Sequence, residues 1–173
     1  MNLKKLFDTQ TILRDRINYQ GNDRFDKLVL ALLVEVGECA NEWRGFKFWS
    51  KDQAARTKVE TYYGTSITHN PLLEEYVDGL HFVLEIGIEI GCTDFTPKEL
   101  ISFSSDPTMK FRAIYRIASE LSLEYLLLSR INYEALFNNY LHLGKSLGFT
   151  LDQIEEAYYS KNKVNHTRQD NGY

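Results

Sequence analysis

An apolar period of about 3.6 residues runs along almost the whole chain, and no convincing strand-like alternation interrupts it, so the sequence predicts an all-α fold. Leu3, Leu6, Phe7, Gln10, Leu13 and Ile17 trace one face of a first helix that Gly21 would stop. A second helix is expected over 24–44, ended by Gly45. Its stretch from Leu28 to Val34 is apolar on every side, which predicts burial of the middle of the helix. Residues 45–70 are polar and read as a long loop, for which a mobile functional lid is the usual explanation. Asn70 and Pro71 form an N-cap and first-turn pair that opens a third helix running to Gly91. Helices at roughly 109–130 and 132–147 follow. Thr150 and Gln153 make a capping box for the last one, which continues past Val164 into a polar tail. The expected architecture is a bundle of about six helices in one domain, 1–173.

Within that apolar pattern, carboxylates stand where a core helix should have none. Glu35 and Glu38 follow directly on the apolar run of the second helix. Glu75 and Asp78 lie between Leu72/Leu73 and Leu80/Phe82/Val83 on the third. The spacing i, i+3 puts each pair on one face, where like charges repel. Four buried carboxylates need a cationic partner, and two divalent ions balance them in number. All-oxygen ligands favour hard ions, Mg²⁺ or Mn²⁺. The alternative is two solvated acidic faces paired with Lys or Arg; Glu42 and Glu74 are read in that way.

The net charge is −4, so the whole molecule exerts no pull toward nucleic acid or an anionic membrane, and a phosphorylated ligand must be met by local cations or metal. The tail offers such groups. Lys161, Asn162, Asn165, Arg168 and Gln169 fall on one helical stripe suited to phosphate oxygens, while Leu151, Ile154 and Tyr158 are expected to pack the other face. A frayed polar terminus would look similar. Lys47 and Lys51 are ambiguous alone, as are the rings of Trp43, Phe46, Phe48, Trp49 and Phe82, which serve equally as core or as a stacking platform. Cys39 and Cys92 fit no metal-ligand spacing. With no apolar leader after Met1 and no apolar run approaching about 18 residues, cytoplasmic residence is expected, with no nucleic acid or membrane as partner.

Taken together, EVGECANEWRGFKFWS (35–50), EEYVDGLHF (74–82) and YYSKNKVNHTRQDNGY (158–173) resemble the dimeric dUTPases of the all-α NTP pyrophosphatase superfamily. The resemblance implies a homodimer that hydrolyses dUTP to dUMP, with attack at the β-phosphorus and hence activity on dUDP. It implies that Glu35, Glu38, Glu75 and Asp78 hold two or three Mg²⁺. Lys47, Lys161, Arg168 and Tyr173 would contact the phosphate chain, and Asn165 the phosphates or deoxyribose, with the tail 161–173 closing over the nucleotide. Gln10, Trp49 and His81 would recognise uracil, and Phe82 would pack against the sugar. Glu38 is the expected acceptor of the attacking water's proton. Leu13 stands where some relatives carry a second amide. Competing readings are a MazG-type or dCTP-directed pyrophosphohydrolase, a di-iron carboxylate bundle, and a catalytically silent protein that binds a regulator.

Overall fold

The computed structural model of the chain describes residues 1–62, 66–98 and 106–172. Among them are six α-helices: α1 Leu3–Ile17, α2 Arg24–Trp43, α3 Pro71–Glu89, α4 Pro107–Ser119, α5 Leu126–Ser146 and α6 Leu151–Asp170. A two-stranded sheet, β1 Val59–Tyr62 and β2 Ser66–His69, lies between α2 and α3. The all-α expectation holds.

Local chemistry sets most of the boundaries. The Asn2 and Asn70 side chains accept hydrogen bonds from the N–H of Lys5 and Leu73, capping α1 and α3. Thr150 and Gln153 complete their capping box on α6. Asn18, not Gly21, stops α1 by taking the left-handed conformation at φ 51°. Between α4 and α5 the expected break at 131 is wrong. The chain turns at Glu120–Ser122, where Ser122 caps a 3-10 turn at Leu123–Tyr125 and Ser129 returns hydrogen bonds to the Ser122 backbone. The uninterrupted apolar letters of Leu126–Leu128 conceal that stop.

Three further expectations are corrected. The middle of α2 is not buried all round: Leu32 is fully buried against the core, but Leu30 and Val34 are 63% and 49% exposed. On α6, Ile154 and Tyr158 are buried whereas Leu151 is half exposed. The segment 45–70 is not structureless, because Val59 pairs with His69 and Thr61 with Ile67 in an antiparallel ladder; Gly64 and Thr65 lie outside the described residues. Arg56 ties this segment down, donating its side chain to Glu42 at 3.0 Å and its backbone N–H to the Glu42 carbonyl, while its own carbonyl accepts from Leu72. Glu42 is therefore an anchor and not a solvated charge.

Helix α3 is the axis of the molecule. Leu72, Tyr76, Val77, Leu80, Val83, Leu84 and Ile86 are at most 1% exposed, and α1, α2, α5 and α6 all contact it. Two tyrosines clasp it to α5. Tyr76 donates to the Tyr140 carbonyl at 3.0 Å and Tyr140 to the Tyr76 carbonyl at 2.7 Å, with the rings stacked 4.8 Å apart. Gly79 and Gly144 leave room for the two hydroxyls; a Cβ at either would strike one of them. The clasp fixes the face of α3 that carries the polar residues.

Candidate active site

Along one side of α3, Glu75, Asp78, His81, Phe82 and Glu85 follow at helical spacing, three or four residues apart but for the adjacent His81 and Phe82. Gly79 lets α2 lie close, so that a Cβ built there would sit 3.5 Å from Cβ of Glu35. As a result, one carboxylate oxygen each from Glu35, Glu75 and Asp78 fall within 4.8 Å of one another. All three residues are half-buried. Burial, followed by the charges of Asp78 and Glu38, pushes the Glu35 carboxyl up to about 7. Burial, then Glu38 and Asp78, does the same to Glu75. Asp78 is also raised by burial, against the opposing pull of Lys161, whose ammonium donates to it. Glu38, one turn beyond Glu35, is exposed and lies outside the trio, although its charge bears on both glutamates.

A cavity of about 500 Å³ opens beside this cluster. Glu35, Asp78, Lys161, Asn165 and Arg168 line it together with Gln10, His81 and Phe82. From Asp78 to Glu85 the lining of α3 extends about 10 Å at 1.5 Å per residue, long enough to seat a nucleoside beside its phosphates. Thus these eight residues, all singled out by sequence, meet in one place, and Gln169 of the same polar stripe joins them. Asn162, on the same stripe by sequence, is buried and does not line the cavity. Lys47 and Trp49 are not brought there. Lys47 donates to Asn41, and Trp49 is 66% exposed, edge-on to Phe46 and Phe48. Tyr173 lies outside the described residues.

Gln10 is committed to the protein more fully than its sequence position suggests. Its side-chain N–H donates to Glu85 at 2.7 Å, and its carbonyl oxygen faces His81 Nδ1 at 2.7 Å and the Tyr158 hydroxyl at 2.8 Å. Glu85 is held in turn by Arg14 at 3.0 Å, and Arg14 also pairs with Glu89. Sequence reading missed Glu85 and Arg14 and took Tyr158 for packing alone. The available signal was the i, i+4 spacing of Gln10 with Arg14 and of His81 with Glu85, two polar pairs on otherwise apolar faces.

The donor set fits a hard divalent cation: three carboxylates from two helices, with oxygens close enough to share an ion and charges that are costly beside one another without it. Acid-x-x-His occurs once, at Asp78–His81, but His81 Nδ1 is bound to Gln10 and the ring is not in the carboxylate cluster, which argues against the di-iron reading. No helix among the described residues is long and apolar enough to cross a membrane. A family model described as dUTPase matches residues 2–173 of the chain. No curated protein matches it.

Proposed function

We propose how this chain, which belongs to the all-α dUTPase family and is a dUTP diphosphatase, binds and cleaves its nucleotide. The observation that carries the proposal is the opening of the Glu35–Glu75–Asp78 cluster onto a cavity whose other walls hold an amide, an imidazole and the cations of α6. Residues 1–173 act as one catalytic unit.

Glu35, Glu75 and Asp78, joined by Glu38, hold two or three Mg²⁺, with Mn²⁺ as a substitute. Bound there, the metal supplies charge neutralisation on the phosphates and a lowered pKa for water. Every other task falls to side chains. Lys161 and Arg168 neutralise the charge that develops on the β,γ-phosphoryl group under attack as dUMP departs, and Asn165 bonds the phosphate chain or the deoxyribose. Glu38, the most accessible of the four carboxylates, accepts the proton of the attacking water as the P–O bond to the leaving group breaks. Attack at the β-phosphorus makes dUDP a second substrate. His81 and Gln10 form the uracil end, and Phe82 packs against the sugar where a 2′-hydroxyl would be crowded and desolvated. Lys47 and Trp49 join the site when the segment after α2 closes over bound nucleotide, and Tyr173 when the tail does so.

The protein acts as a homodimer. Leu126, Leu127, Leu128 and Ile131 expose 51–78% of their surface at the start of α5, an apolar run that a second copy would cover. Cytoplasmic residence agrees with Cys39 and Cys92, both buried free thiols.

Pyrophosphate release from dUTP, dCTP, dTTP and UTP, with and without Mg²⁺, tests this reading. Metal-dependent release confined to dUTP supports it. Equal turnover of dCTP replaces it with a general pyrophosphohydrolase.

A further inference from the structure

We propose that Glu85 is a positioning residue which, through Gln10, fixes His81 as a hydrogen-bond acceptor and so makes the enzyme choose uracil over cytosine. The proposal rests on the placement of the base at the His81 end of the cavity, as argued above.

The relay begins with charge. Arg14, on α1, holds one oxygen of the Glu85 carboxylate at 3.0 Å, and the other oxygen accepts from Gln10 at 2.7 Å. An ionised carboxylate can only accept, so the Gln10 group facing it must be the NH₂. That choice orients the whole amide and turns its carbonyl oxygen toward His81 Nδ1 and the Tyr158 hydroxyl. Both of those groups must therefore donate. Nδ1 carries the hydrogen, and burial holds the imidazole pKa down at about 3, so the ring is neutral and Nε2 presents a bare lone pair.

Nε2 of His81 is buried and has no hydrogen-bond partner among the described residues. The residue is 5% exposed and lines the cavity, with its ring stacked on Tyr158 at 4.4 Å. An orphaned acceptor in such a place is costly until a donor arrives. Uracil brings one, since its N3 carries a hydrogen. Cytosine brings a second lone pair at N3, leaving both groups unpaired and repelling. Thymine shares the N3–H of uracil, so this device cannot distinguish dTTP, and some other part of the site must do so. That difference supplies an internal control.

Glu85→Gln is the discriminating variant. Its carbonyl oxygen would turn to Arg14, its NH₂ would face Gln10, and the Gln10 amide would flip. His81 Nδ1 would then accept and Nε2 would carry the hydrogen, while Tyr158 could donate to the Leu6 carbonyl, already 3.4 Å away. The expected result is a fall of at least ~10²-fold in the dUTP/dCTP ratio of kcat/KM, with the dUTP/dTTP ratio unchanged. Nitrogen-15 NMR of the nucleotide-free protein should show the proton of His81 on Nδ1 in the parent and on Nε2 in the variant. Glu89→Gln, which loosens the same charge cluster without touching Gln10, should alter neither reading. A Glu85→Gln enzyme that keeps its dUTP/dCTP ratio overturns the proposal. So does a parent His81 protonated on Nε2, whatever the substrate data. A parent enzyme that hydrolyses dCTP as well as dUTP overturns instead the placement of the base, and with it the selectivity, while the NMR result still decides the relay.

Discussion

The ammonium of Lys161 donates to the carboxylate of Asp78, joining α6 to α3 at the acidic cluster. The cation that the four carboxylates demanded is thus partly supplied by the protein itself. A divalent ion bound there as proposed would compete with Lys161 for Asp78, and the lysine so displaced would be available to phosphate.

Lys161→Met should therefore act in opposite directions on two constants. Removing the competing ammonium frees Asp78, so Mg²⁺ should bind more tightly at pH 8.5, above the raised pKa values of the glutamates. Loss of a phosphate partner should raise KM for dUTP by about 10-fold, the equivalent of ~1.4 kcal/mol. Calorimetric titration of Mg²⁺ and steady-state kinetics on the same preparation check the pair. Weakening of both would show that Lys161 assembles the cluster and does not compete within it.

The cluster also predicts how stability depends on pH. Glu35 and Glu75 have folded-state pKa values of about 7 against an ordinary 4.5, mainly from burial and then from neighbouring carboxylates. A raised pKa means that the native state holds its proton more tightly. The stabilisation is complete below about 4.5 and is lost as pH rises through about 7. The contribution of these two groups should lower the metal-free melting temperature between pH 5 and pH 8. If Mg²⁺ binds the ionised forms as proposed, its stabilising shift should grow over the same range and binding at pH 7 should release protons. Thermal scans with and without Mg²⁺, and a pH-indicator dye, read both effects. The double variant Glu35→Gln/Glu75→Gln should flatten the metal-free trend.

The Tyr76–Tyr140 clasp gives a prediction about the scaffold. Gly79→Ala places a methyl against the Tyr140 hydroxyl and 3.2 Å from its Cζ. Overpacking of this kind costs about 1–3 kcal/mol. Tyr140→Phe alone loses one buried hydrogen bond, about 1 kcal/mol. Because the worst contact is the hydroxyl, the two changes together should cost less than their sum. Denaturant melts of the four proteins test this, and strict additivity would mean that the helices separate instead of repacking.

Much of this architecture is legible in the letters because its signals are local. Asn70-Pro71 and Thr150-Gln153 announce their helices, and Glu35/Glu38 and Glu75/Asp78 stand out against apolar neighbours. What escaped is non-local or masked. The exposure of Leu30 and Val34 depends on which elements pack on α2, which no single-helix pattern contains. The Ser122–Ser129 turn hides inside an apolar run. The β1–β2 pairing had a signal, since Val59–Tyr62 and Ile67–Thr68 are rich in β-branched and aromatic residues around Gly64, but the surrounding polarity obscured it. The Arg14–Glu85–Gln10–His81 chain joins α1 to α3 across more than seventy positions, and only the folded contact reveals it.

Glu38 is the remaining carboxylate whose role the fold leaves most exposed to test. It stands outside the Glu35–Glu75–Asp78 trio, yet its charge raises both glutamates in the trio. Glu38→Gln keeps the shape and removes the charge. If Glu38 takes the water's proton, the rate should fall by at least ~10², the usual contribution of a general base, while KM for dUTP changes little. The same change relieves repulsion, so the Glu35 and Glu75 carboxyls should titrate lower and the metal-free melting temperature should fall less steeply with pH. Glu74→Gln, an exposed acid at the start of α3 outside the cluster, should behave as the parent in both assays. A slow Glu38→Gln enzyme with an unaltered pH trend would separate catalysis from the electrostatics. Parent-like turnover would transfer the proton-accepting role to the trio, with Glu35, which also lines the cavity, the residue to change next.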